Sequence, residues 1–218
     1  MKCRYGPKKY RLFLLLLGIS LVSAQTVQAA EKVVNIGAVV GLSGRSAASG
    51  LDYSRAITLA ASEINAQGGI TVNGEKYQFK IISYDNEMKP AVAVKMAMRL
   101  RTLDHCPVIF AAESLTGLSV MKYNEKEKFL FVGVVVAPEF TQSGNKLVVR
   151  ITSPFTNFVH MMIEEAWRQG IRKAGVMVIS FETSKRWATY FDKKWKERGG
   201  RWSPRRRSGW MTWIITAN

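Results

Sequence analysis

Hydrophobic residues along this chain come in short dense runs, separated by stretches in which they recur every three or four positions. Val33 to Val40 is apolar apart from Asn35 and Gly37, which is how a strand buried on both faces of a parallel sheet reads. From Leu51 the period lengthens. Tyr53, Ile57, Ala60 and Ile64 fall on one face of a helix, and Gly68-Gly69 ends it with residues that tolerate a left-handed C-cap. An Asn73-Gly74 turn leads into a second strand, Tyr77 to Tyr84, closed by the polar group Asp85-Asn86-Glu87. Pro90 opens a second helix at the position where a missing N–H removes no bond, with Val92, Ala93, Met96, Ala97 and Leu100 as its inner face. Pro107 to Ala112 is a third strand. Ser114-Leu115-Thr116-Gly117 starts a third helix that runs out at the charged stretch Asn124 to Lys128, and Phe129 to Val136 is a fourth strand.

Alternation of strand and helix at this spacing implies right-handed crossovers and a sheet covered on both faces, a doubly wound parallel α/β lobe. After an extended segment, Leu147 to Thr152, the alternation begins again. Pro154 to Gly170 is helical, Ala174 to Ser180 a strand and Thr183 to Gly199 a helix. Residues 30–152 are thus expected to form one ligand-binding lobe and 153–200 the start of a second, incomplete α/β lobe. From Arg201 to Asn218 neither periodicity is visible. That stretch holds four arginines and three tryptophans, and reads either as a basic aromatic tail or as a disordered segment translated out of its ancestral frame. The second reading is preferred because the new lobe has used only one strand and two helices, too few to close a sheet.

The amino terminus follows a different grammar. Lys2, Arg4, Lys8, Lys9 and Arg11 precede an apolar run from Leu12 to Val22 that is short for a membrane span. Val27-Gln28-Ala29 supplies the small or aliphatic residues that export cleavage requires, so residues 1–29 are expected to be a signal peptide cut after Ala29. Val22-Ser23-Ala24 is the weaker alternative. A periplasmic location follows, and Cys106 is then the one cysteine left, expected as a small buried hydrophobe. The net charge of +16 changes meaning once located. Residues 1–29 contribute five basic side chains and 201–218 four, with no acid in either, leaving +7 in between. No nucleic-acid motif accompanies that surplus, so a solvated basic face is expected and no nucleic-acid partner.

Ligands of open parallel sheets bind beyond the carboxyl ends of the strands. Those ends are Gly41 to Ser49, Asp85 to Lys89, Glu113 to Thr116 and Val136 to Thr141. Ser114 and Thr116 stand at a helix start, where a hydroxyl with backbone N–H groups can hold a carboxylate, or can simply cap the helix. Gly37, Gly41 and Gly44 are spaced GxxxGxxG, not as a dinucleotide fingerprint. His105 and His160 stand apart from any carboxylate or cysteine at ligand spacing. No Walker loop, nucleophile elbow or paired acids are present, so no cofactor, metal or catalytic residue is expected.

Four segments carry a family resemblance: Ile36 to Gly44, Ala60 to Ile70, Tyr84-Asp85-Asn86 with Lys89 to Ala93, and Ala137 to Thr141. Together they make residues 33 to about 199 resemble the substrate-binding proteins of branched-chain amino acid type ABC transporters, the leucine-binding-protein-like type I periplasmic binding fold. The resemblance implies two α/β lobes that close over a solute and present it to a membrane permease. It implies that Ser114 matches the hydroxyl that holds an amino acid's α-carboxylate. Val136 replaces a hydroxyl-bearing residue, Ser49 stands where an aromatic often covers the ligand, and Thr183 lies near a second-lobe tyrosine. With the strand-end positions, this gives Ser43, Ser49, Ser114, Leu115, Val134, Val136 and Thr183 as the candidate ligand-binding set. The ligand class expected is an amino acid or a small organic acid or amide. Two other readings stand beside the importer component: a truncated fragment that binds nothing, and an exported α/β enzyme.

Overall fold

The computed structural model describes residues 32–176 and 182–202, together with the backbone of 206–208 and 211–213. The expected signal peptide, residues 177–180 of the strand expected over Ala174 to Ser180, and the side chains of the tail from Ser203 onward lie outside the described residues. A nine-residue strand β1 (Lys32–Val40) leads through a 3-10 turn (Gly44–Ser46) into helix α1 (Ala47–Ala66). Strands β2 (Ile70–Val72) and β3 (Glu75–Asp85) follow, then α2 (Pro90–Thr102), β4 (Val108–Ala111), α3 (Ser114–Glu127), β5 (Leu130–Gly133), the short α4 (Glu139–Gln142) and β6 (Val148–Arg150). These make a six-stranded sheet in the order β2-β3-β1-β4-β5-β6. All neighbours are parallel except β2, which pairs antiparallel with β3 at the edge.

The doubly wound parallel sheet expected from the alternation is therefore present, with four local corrections. The edge strand β2 is new: its three residues are exposed, so no periodicity marks them, and the Asn73-Gly74 turn that was legible is the hairpin that makes the pairing. Helix α1 begins at Ala47 instead of Leu51, so Ser49 is a helical residue and not a loop residue. The fourth expected strand ends at Gly133 rather than Val136, although the Val134 N–H still donates to Ala111 O at 2.9 Å. Finally, Arg201–Trp202 is not patternless tail. It is a strand, β8, pairing in parallel with β7 (Lys173–Ala174).

The main core lies between the sheet and the helices α2 and α3. Leu100, Ile109, Val120, Phe131, Val135 and Phe140 are all fully buried there. Burying each such side chain contributes about 1.5–3 kcal/mol. Cys106 sits in the same core, fully buried, and burial pushes its thiol up to about 11, with Asp104 adding to the effect. It is the inert hydrophobe expected. Asn124, also fully buried, donates to Phe129 O (3.2 Å) and Leu147 O (2.8 Å), tying the end of α3 to the strands on either side of it.

A second cluster forms around α5 (Phe155–Arg168) and α6 (Glu182–Glu197). Trp195 is completely buried, stacked on Phe191 at 5.7 Å and edge-on to Trp167 at 5.2 Å. Its indole N–H donates to Arg201 O at 2.9 Å, and the Trp202 indole donates to Asp192. These bonds satisfy the polar end of each large apolar ring and explain why β8 holds its place without hydrophobic alternation. Strands β9 (Arg206–Ser208) and β10 (Met211–Trp213) pair antiparallel.

Candidate functional site

Strand order fixes where a site can form. From β1 the chain moves outward to β3, then returns across β1 to β4 and on to β5. The switch of direction therefore falls between β1 and β4, the place beyond whose carboxyl ends an open α/β sheet binds its ligand. Register brings those ends level: Val39 pairs with Ala111, and Ala111 with Gly133. The loops carrying Ser43, Ser114 and Val134 to Val136 thus leave the same edge of the sheet.

A glutamate that the sequence did not single out spans the switch point. The Gly41 N–H donates to Glu113 Oε1 at 2.9 Å. The Asn86 side-chain amide donates to Glu113 Oε2 at 2.8 Å, and the Thr116 hydroxyl to the same oxygen at 3.2 Å. Asn86 is wholly buried and Thr116 nearly so, so both find in Glu113 the partner that burial of a polar group demands. Three strand ends are thereby tied to one half-buried carboxylate. The available hint was an acid immediately before a hydroxyl-rich helix start, with Thr116 three residues on. Its partners, 72 and 27 positions away, carry no local signature.

Asp85 does similar work for the neighbouring loop. It accepts from the Leu42 N–H (2.9 Å) and the Glu87 N–H (2.8 Å). Burial by itself would raise its carboxyl, but hydrogen bonds from the Ser43 hydroxyl and from the backbone of Glu87, Leu42 and Ser43 outweigh this and hold it below its ordinary 3.8. Close approach completes the arrangement. A Cβ on Gly50 would lie 1.9 Å from Gly41 O, so only glycine lets α1 seat against the end of β1.

The candidate residues fall on this frame as follows. Ser43 is exposed on the β1 loop and bonded to Asp85, and Ser49 is exposed in the first turn of α1. Ser114 and Leu115 are the first residues of α3, half-buried and exposed respectively. The amides of that first turn have no partner within the helix and concentrate its positive end. The first α-helical bond runs from the Gly117 N–H to Glu113 O, at 2.8 Å. Thr116 is turned inward to Glu113, so it belongs to the scaffold. Val136 is half-buried, with its carbonyl accepting from the Phe155 N–H at 2.8 Å. Val134 instead lines an apolar cavity beneath α1. Thr183 lies in the first turn of α6, the helix whose Arg186 forms an ion pair with Glu139 of α4. Among the described residues no group of histidines, cysteines and acids could hold a metal, and His160 bonds to the Tyr190 hydroxyl at 2.9 Å.

Comparison with known proteins agrees with this architecture. Residues 33–204 match the model of the periplasmic binding protein family. An amino acid binding protein of Pseudomonas aeruginosa is 39% identical over 142 residues, covering 64% of this chain and 36% of its own length. Among solved structures, the branched-chain amino acid transporter substrate-binding protein LivJ of Streptococcus pneumoniae, in complex with isoleucine, superposes with a TM-score of 0.64 at 21% identity, over 74% of this chain and 46% of its own. A solute-binding protein of an ABC transporter from R. palustris, in complex with 4-hydroxybenzoate, gives 0.65 at 18% identity, over 78% and 45%. The chain thus spans less than half the length of these relatives. With a doubly wound lobe, the beginning of another and a family match over most of its length, the chain belongs to the periplasmic binding protein family in its leucine-binding-protein-like, type I form.

Proposed function

We propose that the strand ends around the β1/β4 switch point hold a small carboxylate-bearing solute, an amino acid or an organic acid, as part of the solute-binding component of an ABC importer. The observation that carries the proposal is the first turn of α3. Its free amides and the Ser114 hydroxyl stand at the crevice on a base made rigid by Glu113, and a helix amino terminus favours an anion. Isoleucine and 4-hydroxybenzoate, named with the two solved relatives, share only the carboxylate as a charged anion, which is what this end of the site is built to take.

In this reading Ser43, Ser49, Leu115 and Val136 surround the rest of the solute from residues 30–152, while Val134 faces the cavity beneath α1. Thr183 approaches from the second lobe, which starts at residue 153. Val136 offers no hydroxyl, so the solute's other polar groups find their partners elsewhere. The chain is exported to the periplasm after cleavage at Ala29 and delivers its solute to a membrane permease. It acts by binding and not by catalysis. Closure follows from contacts made only when both lobes hold the solute.

Thermal unfolding against a panel of L-amino acids and hydroxybenzoates tests this. The midpoint should rise with concentration for at least one of them. Ser114→Ala should weaken the effect about tenfold or more, since a hydrogen bond to a charged group contributes about 1.5–3 kcal/mol. A midpoint unmoved across the panel favours the reading of a fragment that binds nothing.

A further inference from the structure

The second cluster is tied to the strand-end loops of the first at two points. One lies at the crossover itself. The Phe155 N–H, at the start of α5, donates to Val136 O at 2.8 Å, and the buried Phe155 ring meets Tyr190 of α6 edge-on at 5.9 Å. The other is the ion pair between Arg186 of α6 and Glu139 of α4. Thr183, Arg186 and Tyr190 stand at i, i+3 and i+7 and so share one face of α6. Tyr190 takes the contact tied to the backbone, Arg186 lies one turn nearer the helix start, and Thr183 one turn beyond that. A bond at Arg186 therefore governs how closely the amino-terminal end of α6, with Thr183, stands to the strand ends.

Glu139 is held in place from its own side. It is the first residue of α4, and the Arg150 guanidinium of β6 donates to the two carbonyls just before it, Ala137 O at 2.6 Å and Pro138 O at 3.0 Å. Arg150 pairs in register with Gly133, at the end of β5. Burial pushes its guanidinium below the ordinary value, and the charge of Glu139 acts the other way. The Glu139 carboxylate thus lies in the field of two guanidinium groups, one from each cluster. Other ion pairs of α6 stay within the second cluster: Lys193 and Lys194 pair with Glu197, Lys196 with Asp192, and Arg198 with Glu164 of α5. Only a pair such as Glu139 and Arg186, which crosses between the clusters, can bear on how they stand to each other.

We propose that Glu139 is a positioning residue for the site: through Arg186 it clasps the amino-terminal end of α6, and with it Thr183, against the strand-end loops before any solute arrives. The benefit to a solute rests on the proposed function; the clasp itself does not. Both side chains keep contact with water, Arg186 at 38% exposure and Glu139 at 49%, so the pair is weak and screened by salt. An ion pair of this kind shifts a balance between two arrangements by about two- to fivefold. That is a standing preference and not a lock, and it leaves the clusters free to part when a solute enters.

Spin labels at Leu103→Cys and Met161→Cys, both 69% exposed and on opposite sides of residues 151–154, report the arrangement in a Cys3→Ser chain whose buried Cys106 stays unlabelled. Without solute and at low salt, the shorter of two distances should dominate. Glu139→Gln should lower the ratio of short to long by about two- to fivefold, Arg186→Gln by the same factor, and the double substitution by no more than either alone. Arg186→Lys keeps the charge and should retain most of the short distance, and salt at about 1 M should erase the difference between the parent and Glu139→Gln. Lys196→Gln, which breaks a pair inside α6, should change nothing. Distances unmoved by Glu139→Gln, a double substitution that adds the two single effects, or an equal response to Lys196→Gln would overturn the proposal. Where a solute raises the thermal midpoint, Glu139→Gln should weaken that solute by the same factor. Because the distances are read without solute, a clasp that behaves as expected beside a midpoint that no solute moves removes the proposed function alone.

Discussion

A carboxylate at a strand end can serve a ligand or the loop that carries the ligand, and its donors decide which. Glu113 and Asp85 both spend their oxygens on the protein, on Gly41, Asn86 and Thr116 in one case and on Leu42, Ser43 and Glu87 in the other. They shape the strand-end loops and, under the proposed function, leave binding to the hydroxyls and amides. Because Asp85 is held below its ordinary 3.8 in the fold, its contribution to stability is complete above that value and is lost as pH falls through the lower folded value. Asp85→Asn should therefore cost about 1–3 kcal/mol near neutral pH, with the gap to the parent protein narrowing in acid. Urea midpoints across the acid range measure this, and a gap constant with pH would count against it. At this scale the sequence offered Ser114 as a candidate, because a hydroxyl at a helix start is a local pattern, and hid Glu113, whose partners are brought together from three strand ends. Thr116 shares the helix start, where a hydroxyl can also simply cap, and its side chain is turned inward to Glu113.

Among the elements, α1 does the most to position the site, since its Gly50 sits against the Gly41 carbonyl at the end of β1. Gly50→Ala gains helix propensity yet must push the helix away from the strand. Such overpacking costs about 1–3 kcal/mol, so the thermal midpoint should fall despite the better helix former; a rise would mean that the contact is dispensable. The strands of the main sheet were legible because parallel strands covered on both faces are nearly continuous apolar runs, as β1 is apart from Asn35 and Gly37. Strand β2 was not, being short, exposed and at an edge, and β8 was not, because Arg201 and Trp202 are held by indole hydrogen bonds and a tilted ring contact with Phe191 and not by alternation. The amphipathic pattern of α1 was read correctly as a face that wants burial. The structure shows that face only partly satisfied, which no sequence pattern could reveal without the sheet beside it.

For the whole molecule, two hydrophobic clusters of unequal size stand on either side of residues 151–154. The larger completes its strand-end platform within this chain. Among the described residues the smaller has a two-stranded sheet, β7 and β8, and two helices. The strand-end platform of the larger cluster predicts that solute contacts with it are made even where closure is weak. Contacts from one side alone leave the solute partly wetted, so they should be looser than those made after closure. The measurement that tests this most directly is a backbone amide NMR titration with isoleucine and 4-hydroxybenzoate at millimolar concentrations. The account predicts saturable shifts at Leu42, Ser43, Ser114 and Leu115, with α5 and the β7/β8 pair silent. No shifts with either solute, or shifts confined to the second cluster, would contradict it.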